Sequence, residues 1–378
     1  MFNSDDARFM RLALDLAAHG LFSTDPNPRV GCVIVSDGHV VGEGWHEKAG
    51  HPHAEINALA QAGQRARGAT AYVTLEPCAH YGRTPPCCNA LIGSGISRLV
   101  AASQDPNPLV NGTGIAALRA AGITVEVGLL QAEAMELNLG FVSRMQRKLP
   151  WVRLKVAASL DGKTALPNRQ SQWITGEQAR RDGHAWRARA SALLTGIGTL
   201  KDDDPQMNVR WVQTNRQPTR ILVDSRLEAD LAARMLASPG VWIVTALEQS
   251  ACRTSAWQRL TDAGHRIISL PNDRGKVDLQ AMMQWLAGEG VNELHIEAGY
   301  KLNGSLLREH WVDEVLCYLA PSLIGPGLEM FELPGLSQMP SNTEWRFEDH
   351  SMVGGDLRLR MRKLESIHAL SIARPDER

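Results

Sequence analysis

The sequence predicts an α/β protein built as two domains in tandem. Three observations carry that prediction. The length of 378 residues exceeds one ordinary domain. Strand-like apolar runs alternate with amphipathic helical patterns along most of the chain. The run Lys148-Leu149-Pro150 breaks this alternation before a second series begins. We therefore expect a first domain at 1–147, a second at 148–364 and a polar, frayed tail at 365–378.

In the first domain, Asp5 and Asp6 precede an amphipathic stretch, Phe9, Leu12, Ala13, Leu16 and Ala17, which predicts a helix stopping near Gly20. Val30 to Val35 and Val40 to Gly44 read as strands around Asp37-Gly38, a tight hairpin turn. Helix follows at His53 to Ala62, strand at Ala71 to Leu75, and helix at Pro85 to Ile92, with proline in its first turn. Strand at Leu99 to Ala102, helix at Gly114 to Ala121, strand at Ile123 to Val127 and helix near Glu133 to Arg144 complete the unit. Helices spaced between strands predict a mainly parallel sheet covered by helices.

The second series opens with a strand at Val152 to Ala157. Apolar runs recur at Ala192 to Thr195, Arg220 to Val223, Val241 to Val244, Arg266 to Ser269, Glu293 to Ile296 and Val315 to Leu319, with a last strand at Asp356 to Met361. Helical patterns lie between them at Glu177 to Ala190 and Leu279 to Leu286. Two glycine-containing runs each follow a strand, Thr195-Gly196-Ile197-Gly198-Thr199 and Glu297-Ala298-Gly299 onward, and the second opens a helix. Backbone N–H groups there can cradle a pyrophosphate. An ordinary G-x-G-x-x-G fingerprint is absent.

Hydrophobic residues make up 44% of the chain, enough for packed cores, and the formal net charge is −1. That balance argues against a nucleic-acid partner. The first residues lack a secretory signal, and no apolar run reaches membrane-spanning length. Six cysteines are scattered without a disulfide-like framework, so a cytoplasmic protein with free thiols is expected. Sheets with apolar edges often pair, so the chain is compatible with a homo-oligomer.

Residues 53–87 carry the chemistry. His53, Cys78 and Cys87 offer one imidazole and two thiolates, which can hold zinc and leave its fourth position open. His53 and Cys87 stand at predicted helix starts, and Cys78 lies just past a strand, so the three meet at one sheet edge. Glu55, two residues beyond His53, is placed to shuttle protons as general acid and base. This is the H-x-E…P-C…C pattern of zinc-dependent base deaminases. Cys32 and Cys88 read as packing residues.

Longer runs carry a resemblance. Thr74-Leu75-Glu76-Pro77-Cys78-Ala79-His80-Tyr81-Gly82-Arg83-Thr84-Pro85-Pro86-Cys87 resembles the deaminase half of the bifunctional riboflavin-biosynthesis deaminase/reductase family. So do Pro26-Asn27-Pro28-Arg29-Val30-Gly31 and Gly44-Trp45-His46. Eight residues separate Cys78 from Cys87, where the generic deaminase has two. The resemblance implies a cytidine-deaminase-like three-layer αβα domain in which Asn27, His46, His80 and Arg83 line a pocket for a phosphorylated pyrimidine.

In the second half, Lys155-Val156-Ala157-Ala158-Ser159-Leu160-Asp161-Gly162-Lys163, Ser171-Gln172-Trp173-Ile174-Thr175 and Asp202-Asp203-Asp204-Pro205 resemble the family's dihydrofolate-reductase-like αβ domain. The resemblance implies NADPH contacts at Ala157, Trp173, Thr199, Asp203, Ser225 and the loop Gly299, Tyr300, Lys301, Leu302, Asn303, Gly304 and Ser305. It implies substrate contacts at Lys155, Ser171, Arg187, Met207, Arg210 and Glu297, with Arg187 and Arg210 as a cationic pair facing a substrate phosphate. The implied reactions are deamination of a phosphoribosylated diaminopyrimidinone and NADPH-dependent reduction of its ribosyl group to ribityl. Two other readings are weighed against this: a deaminase of tRNA or another nucleoside, and a zinc-stabilised binding protein. The near-neutral charge, long cysteine loop and large second domain oppose the first. An unligated Glu55 beside the ligands opposes the second.

Overall fold

The computed structural model describes residues 2–79, 86–248, 250, 254–335, 337–339 and 344–370. The chain divides into two compact units between Lys148 and Leu149. Lys148 adopts the left-handed conformation (φ 59°) and ends a helix, and Pro150 blocks its continuation. Lys148 thus closes the first unit.

The first unit contains α1 (Ser4–Ala18), β1 (Gly31–Ser36), β2 (His39–Trp45), α2 (Ala54–Ala62), β3 (Thr70–Val73), α3 (Cys87–Ser94), β4 (Arg98–Ala101), α4 (Thr113–Ala120), β5 (Thr124–Val127), α5 (Gln131–Leu137) and α6 (Leu139–Arg147). Its sheet order is β2-β1-β3-β4-β5. The expectation of a mainly parallel sheet is corrected here: β1 is antiparallel to both β2 and β3, and only β3-β4-β5 run parallel. The Asp37-Gly38 turn folds β2 back on β1, and the α2 crossover then sets β3 parallel to β2 and so against β1.

Both faces of β1 are covered. Cys32 and Ile34 pack with Ala54 and Ala58 of α2, Leu91 of α3 and Leu118 of α4. The alternate residues Val33 and Val35 pack with Phe9 and Met10 of α1 and Ala134 of α5. This gives three αβα layers, and it places Cys32 and Cys88 in the core. α2 lies unusually close to β2, because a Cβ on Gly44 would stand 2.5 Å from the Ala54 carbonyl oxygen. That approach fixes the start of α2, where His53 and Glu55 sit. The single helix expected near Glu133 to Arg144 is broken at Asn138 (φ −119°). The Asn138 side chain is diverted to the Arg29 backbone, accepting from its N–H at 2.7 Å and donating to its carbonyl at 2.9 Å.

The second unit contains β6 (Trp151–Ser159), β7 (Lys163–Ala165), α7 (Glu177–Arg189), β8 (Ala192–Gly196), α8 (Ile197–Asp203), β9 (Thr219–Val223), β10 (Trp242–Thr245), α9 (Ser255–Asp262), β11 (Arg266–Ser269), α10 (Leu279–Gly288), β12 (Glu293–Ile296), α11 (Tyr300–Arg308), β13 (Glu314–Ala320), β14 (Leu328–Glu329), β15 (Trp345–Val353), β16 (Asp356–Lys363) and α12 (Leu364–Ala369). The main sheet runs β11-β10-β9-β8-β12-β6-β13-β16-β15, parallel as far as β13 and antiparallel beyond it. β14 pairs with β7 in a separate ribbon. β15 mixes charged and apolar residues: it is held to β16 by ladder bonds and charge pairs such as Arg360 Nε to Asp349 Oδ2 at 2.6 Å, with Trp345 and Val353 packed on the core. The sequence predicts no element over this strand. The expected frayed tail is also corrected at its start, since α12 occupies Leu364–Ala369 with Ile367 buried.

Candidate functional site

In the first unit, His53 caps α2 with extended backbone, Glu55 occupies the first turn of α2, Cys78 follows β3, and Cys87 is the first residue of α3. His53 Nδ1 lies 3.7 Å from Cys78 Sγ and 3.3 Å from Cys87 Sγ. Donors about 2.0–2.3 Å from one tetrahedral zinc stand about 3.5–3.8 Å apart, so this donor set fits that ion. Among the described residues no fourth protein ligand joins the group. The start of α3 supports the sulfurs: Cys87 N–H donates to Cys78 Sγ at 3.3 Å and Cys88 N–H to the Cys78 carbonyl at 3.2 Å.

The electrostatics follow from this packing. The hydrogen bond with Cys87 draws the Cys78 thiol well below its usual range, and the same contact together with burial pushes Cys87 up. The contact with Cys78 raises His53. Burial lifts the Glu55 carboxyl to about 7. Metal binding by two thiolates requires both sulfurs to be deprotonated.

Beside this cluster, His46 is buried and its ring meets His53 edge-on at 5.2 Å. His46 Nδ1 lies 3.1 Å from the Pro52 carbonyl and must donate to it. Nε2 then accepts from the Asn27 amide at 3.0 Å. Burial lowers the His46 pKa and favours this neutral form. Asn27 is thus oriented through His46, while Asn138 fixes Arg29 two residues along. His80 and Arg83 lie outside the described residues.

In the second unit a cavity of about 1540 Å³ gathers nearly all of the residues implied there: Lys155, Ala157, Ser171, Trp173, Arg187, Thr199, Asp203, Met207, Arg210, Ser225, Glu297, Gly299, Tyr300, Lys301, Leu302, Asn303 and Ser305. Gly304 is the exception. A Cβ there would stand 2.2 Å from the Glu332 carbonyl oxygen, so Gly304 serves helix packing. As expected, the run after Gly299 opens a helix: Gly299 is the N-cap of α11, and Tyr300 to Ser305 of the implied cofactor loop form its first turns. The regular ladder leaves the first-turn N–H groups without intrahelical partners.

Glu297 is the centre of charge. It accepts both Arg187 Nε at 2.5 Å and Nη2 at 2.9 Å, and stands 3.6 Å from Lys155 Nζ and 3.4 Å from His295 Nε2. Burial alone would raise its carboxyl, but Arg187 and Lys155 outweigh that and hold it well below the usual carboxylate range. Both arginines of the expected cationic pair line the cavity, in different surroundings. Arg187 is committed to Glu297, whereas Arg210 bonds the neutral Asn208 and Gln206 side chains at 2.7 and 3.1 Å and keeps its charge available. Ser171 Oγ donates to Asp203 at 2.5 Å. Trp173 is exposed and lies under the Arg180 guanidinium, 4.6 Å from ring centroid to carbon.

Sequence reasoning missed Trp211 and His184, which stack edge-on in the cavity wall at 4.8 Å. An indole directly after Arg210 was the available signal. It also left Asn138 and Glu76 without roles.

Residues 3–103 match the family described as cytidine and deoxycytidylate deaminase zinc-binding region, and residues 150–359 match the RibD C-terminal domain. The chain is 44% identical over 370 residues to riboflavin biosynthesis protein RibD of Escherichia coli (strain K12), covering 94% of this chain and 99% of that protein. It is 40% identical to RibD of Aquifex aeolicus over 360 residues, or 94% and 98% of the two chains. Among solved structures, Acinetobacter baumannii RibD superposes with a TM-score of 0.87 at 42% identity, covering 95% and 99%. A diaminohydroxyphosphoribosylaminopyrimidine deaminase/5-amino-6-(5-phosphoribosylamino)uracil reductase from Thermotoga maritima gives 0.83 at 32% identity with the same coverage.

Proposed function

This chain belongs to the RibD family of riboflavin-biosynthesis proteins and carries a deaminase and a reductase, and from that premise we propose which of its residues perform each step. His53, Cys78 and Cys87 hold zinc, Glu55 carries protons, and Asn27 and His46 orient a phosphoribosylated diaminopyrimidinone. The observation carrying this reading is the convergence of one imidazole nitrogen and two sulfurs, all within 4.8 Å, beside a buried carboxylate. Zinc at such a site supplies the Lewis acidity that makes water nucleophilic near neutral pH. Glu55 takes a proton from the attacking water and gives it to the ring nitrogen, then takes the remaining proton of the added hydroxyl and delivers it to the departing amine as the carbonyl forms. One water enters and one ammonia leaves, so the amine-bearing carbon becomes a carbonyl.

In the second unit we assign the cavity to NADPH together with the deaminated product. Its volume of about 1540 Å³ exceeds the about 300–1,000 Å³ usual for one small ligand, leaving room for both. Gly299 opens α11 with its unpaired N–H groups, and the buried Asn303 Oδ1 has no partner among the described residues. Both suit a polar cofactor edge. NADPH supplies the hydride. Arg187 and Glu297 form the rigid floor, Lys155 stands ready to donate a proton to the opening ribose, and Arg210 offers its charge to the substrate phosphate.

We place the reaction in the cytoplasm, where reducing conditions keep the five described cysteines free. Among the described residues no helix is long and apolar enough to cross a membrane. The test is product analysis of zinc-loaded protein given the diaminopyrimidinone phosphate, with and without NADPH. Ammonia without NADPH and a ribityl product with it support both assignments. Absence of either product overturns the corresponding one.

A further inference from the structure

Glu76 is a buried carboxylate with an unusual set of partners. Oε1 accepts from the backbone N–H groups of Gly114 at 3.0 Å and Ile115 at 3.1 Å. Oε2 accepts from those of Asp105 at 3.1 Å and Gly112 at 2.9 Å. Gly114 and Ile115 belong to the first turn of α4, whose N-cap Gly112 has left-handed backbone (φ 85°) and provides no side-chain cap. Glu76 therefore caps a helix about forty positions away in the chain, favoured by the positive end of that helix.

This cap has a second attachment. The Glu76 N–H donates to the Ser103 carbonyl at 2.9 Å. The next residue, Pro77, places its carbonyl oxygen so close to α4 that a Cβ on Gly114 would lie 2.0 Å from it. The residue after that is Cys78, whose own carbonyl accepts from Cys88 N–H. Cys78 is thus pinned between two helix starts, α3 on one side directly and α4 on the other through Glu76 and Pro77.

We infer that Glu76 is the positioning residue of the metal centre, holding the Cys78 sulfur at the place where it meets His53 and Cys87. This rests on the reading of those three side chains as the zinc ligands. Glu76 touches none of the reacting groups, and both of its oxygens are occupied by main-chain donors. Glu76 acts on Cys78 through two residues of backbone, so its loss should weaken the metal centre by displacing the ligand's carrier loop. Groups bonded directly to a ligand are worth about 10–100-fold in metal affinity, which sets the scale.

The test uses the full chain. Glu76→Gln keeps the shape but turns one oxygen into an amide nitrogen facing N–H groups, so two of the four bonds are lost. Zinc affinity is read by competition with a chromogenic chelator, and cobalt-substituted protein is read by its thiolate-to-metal absorption. We expect affinity at least tenfold weaker and a diminished thiolate band. Deamination should return at saturating zinc with an unchanged KM, and reduction of supplied deaminated substrate should be normal. Gly114→Ala disturbs Pro77 without altering any charge and is expected to weaken zinc in the same way. Wild-type zinc affinity in Glu76→Gln overturns the inference. So does an affinity loss that, in both variants, accompanies collapse of amide protection across β1 and β4. A wild-type chain that binds no zinc overturns the ligand assignment itself, and the inference with it.

Discussion

Replacing Asn138 by alanine removes one side chain that serves two buried backbone groups at once. Its Oδ1 accepts from Arg29 N–H at 2.7 Å and its Nδ2 donates to the Arg29 carbonyl at 2.9 Å, 109 residues away. Asn138 is 4% exposed, so water has little access to either group after truncation. An unsatisfied buried backbone group costs about 1–3 kcal/mol, and partial rescue by relaxation leaves a sum of about 2–4 kcal/mol for the pair. Because Arg29 leads directly into β1, the loss should appear as local opening of that segment. Amide hydrogen exchange over residues 28–33 should accelerate about 30- to 1,000-fold, by the relation of about 1.4 kcal/mol per factor of ten. Asn27 shares this segment, so the KM for deamination should rise while reduction is unaffected. Exchange within threefold of wild type would refute the reasoning, since it would mean that Arg29 is held in place without Asn138.

Three further outcomes are expected. Glu55→Gln should retain one zinc per chain by metal analysis and lose about 10²- to 10⁴-fold in deamination rate, as the proposed role of Glu55 as a proton carrier outside the ligand set requires; full activity would remove it from the mechanism. Lys155→Met should abolish ribityl product while ammonia release continues, and unchanged reduction would exclude Lys155 as proton donor. Asp6 is held well below its ordinary value of 3.8, chiefly by its hydrogen bond with Arg98, with the Asn3 backbone N–H and the Tyr72 hydroxyl also donating to it and Glu126 sharing the same guanidinium. A depressed carboxyl contributes stability that is complete above the unfolded value and fades as pH falls through the folded one. The stability gap between wild type and Asp6→Asn should therefore be constant from pH 7 to about 5 and shrink below about 4, as read by urea midpoints; a gap that grows toward acid would contradict the sign.

By itself, the sequence determined the chemistry of the first unit and the kind of fold that carries it. Zinc with an open position requires particular ligand types, helix starts stabilise thiolates, and a proton carrier must lie next to a ligand. These demands leave a short local signature in His53, Glu55, Cys78 and Cys87. The period-two and helical patterns likewise announced most strands and helices, because each must present an apolar face. The tertiary structure decided what depends on partners far apart in the chain. Glu76 and Asn138 look like ordinary polar residues until α4 and Arg29 come to meet them. The pairing of Arg187 with Glu297, 110 residues away, has no local signature. β15 carries no regular apolar alternation along its length, and its charges and ladder bonds to β16 help hold it in place. Local pattern records what a segment needs from solvent and core, whereas these roles depend on which backbone or charge arrives opposite, and only the folded chain supplies that.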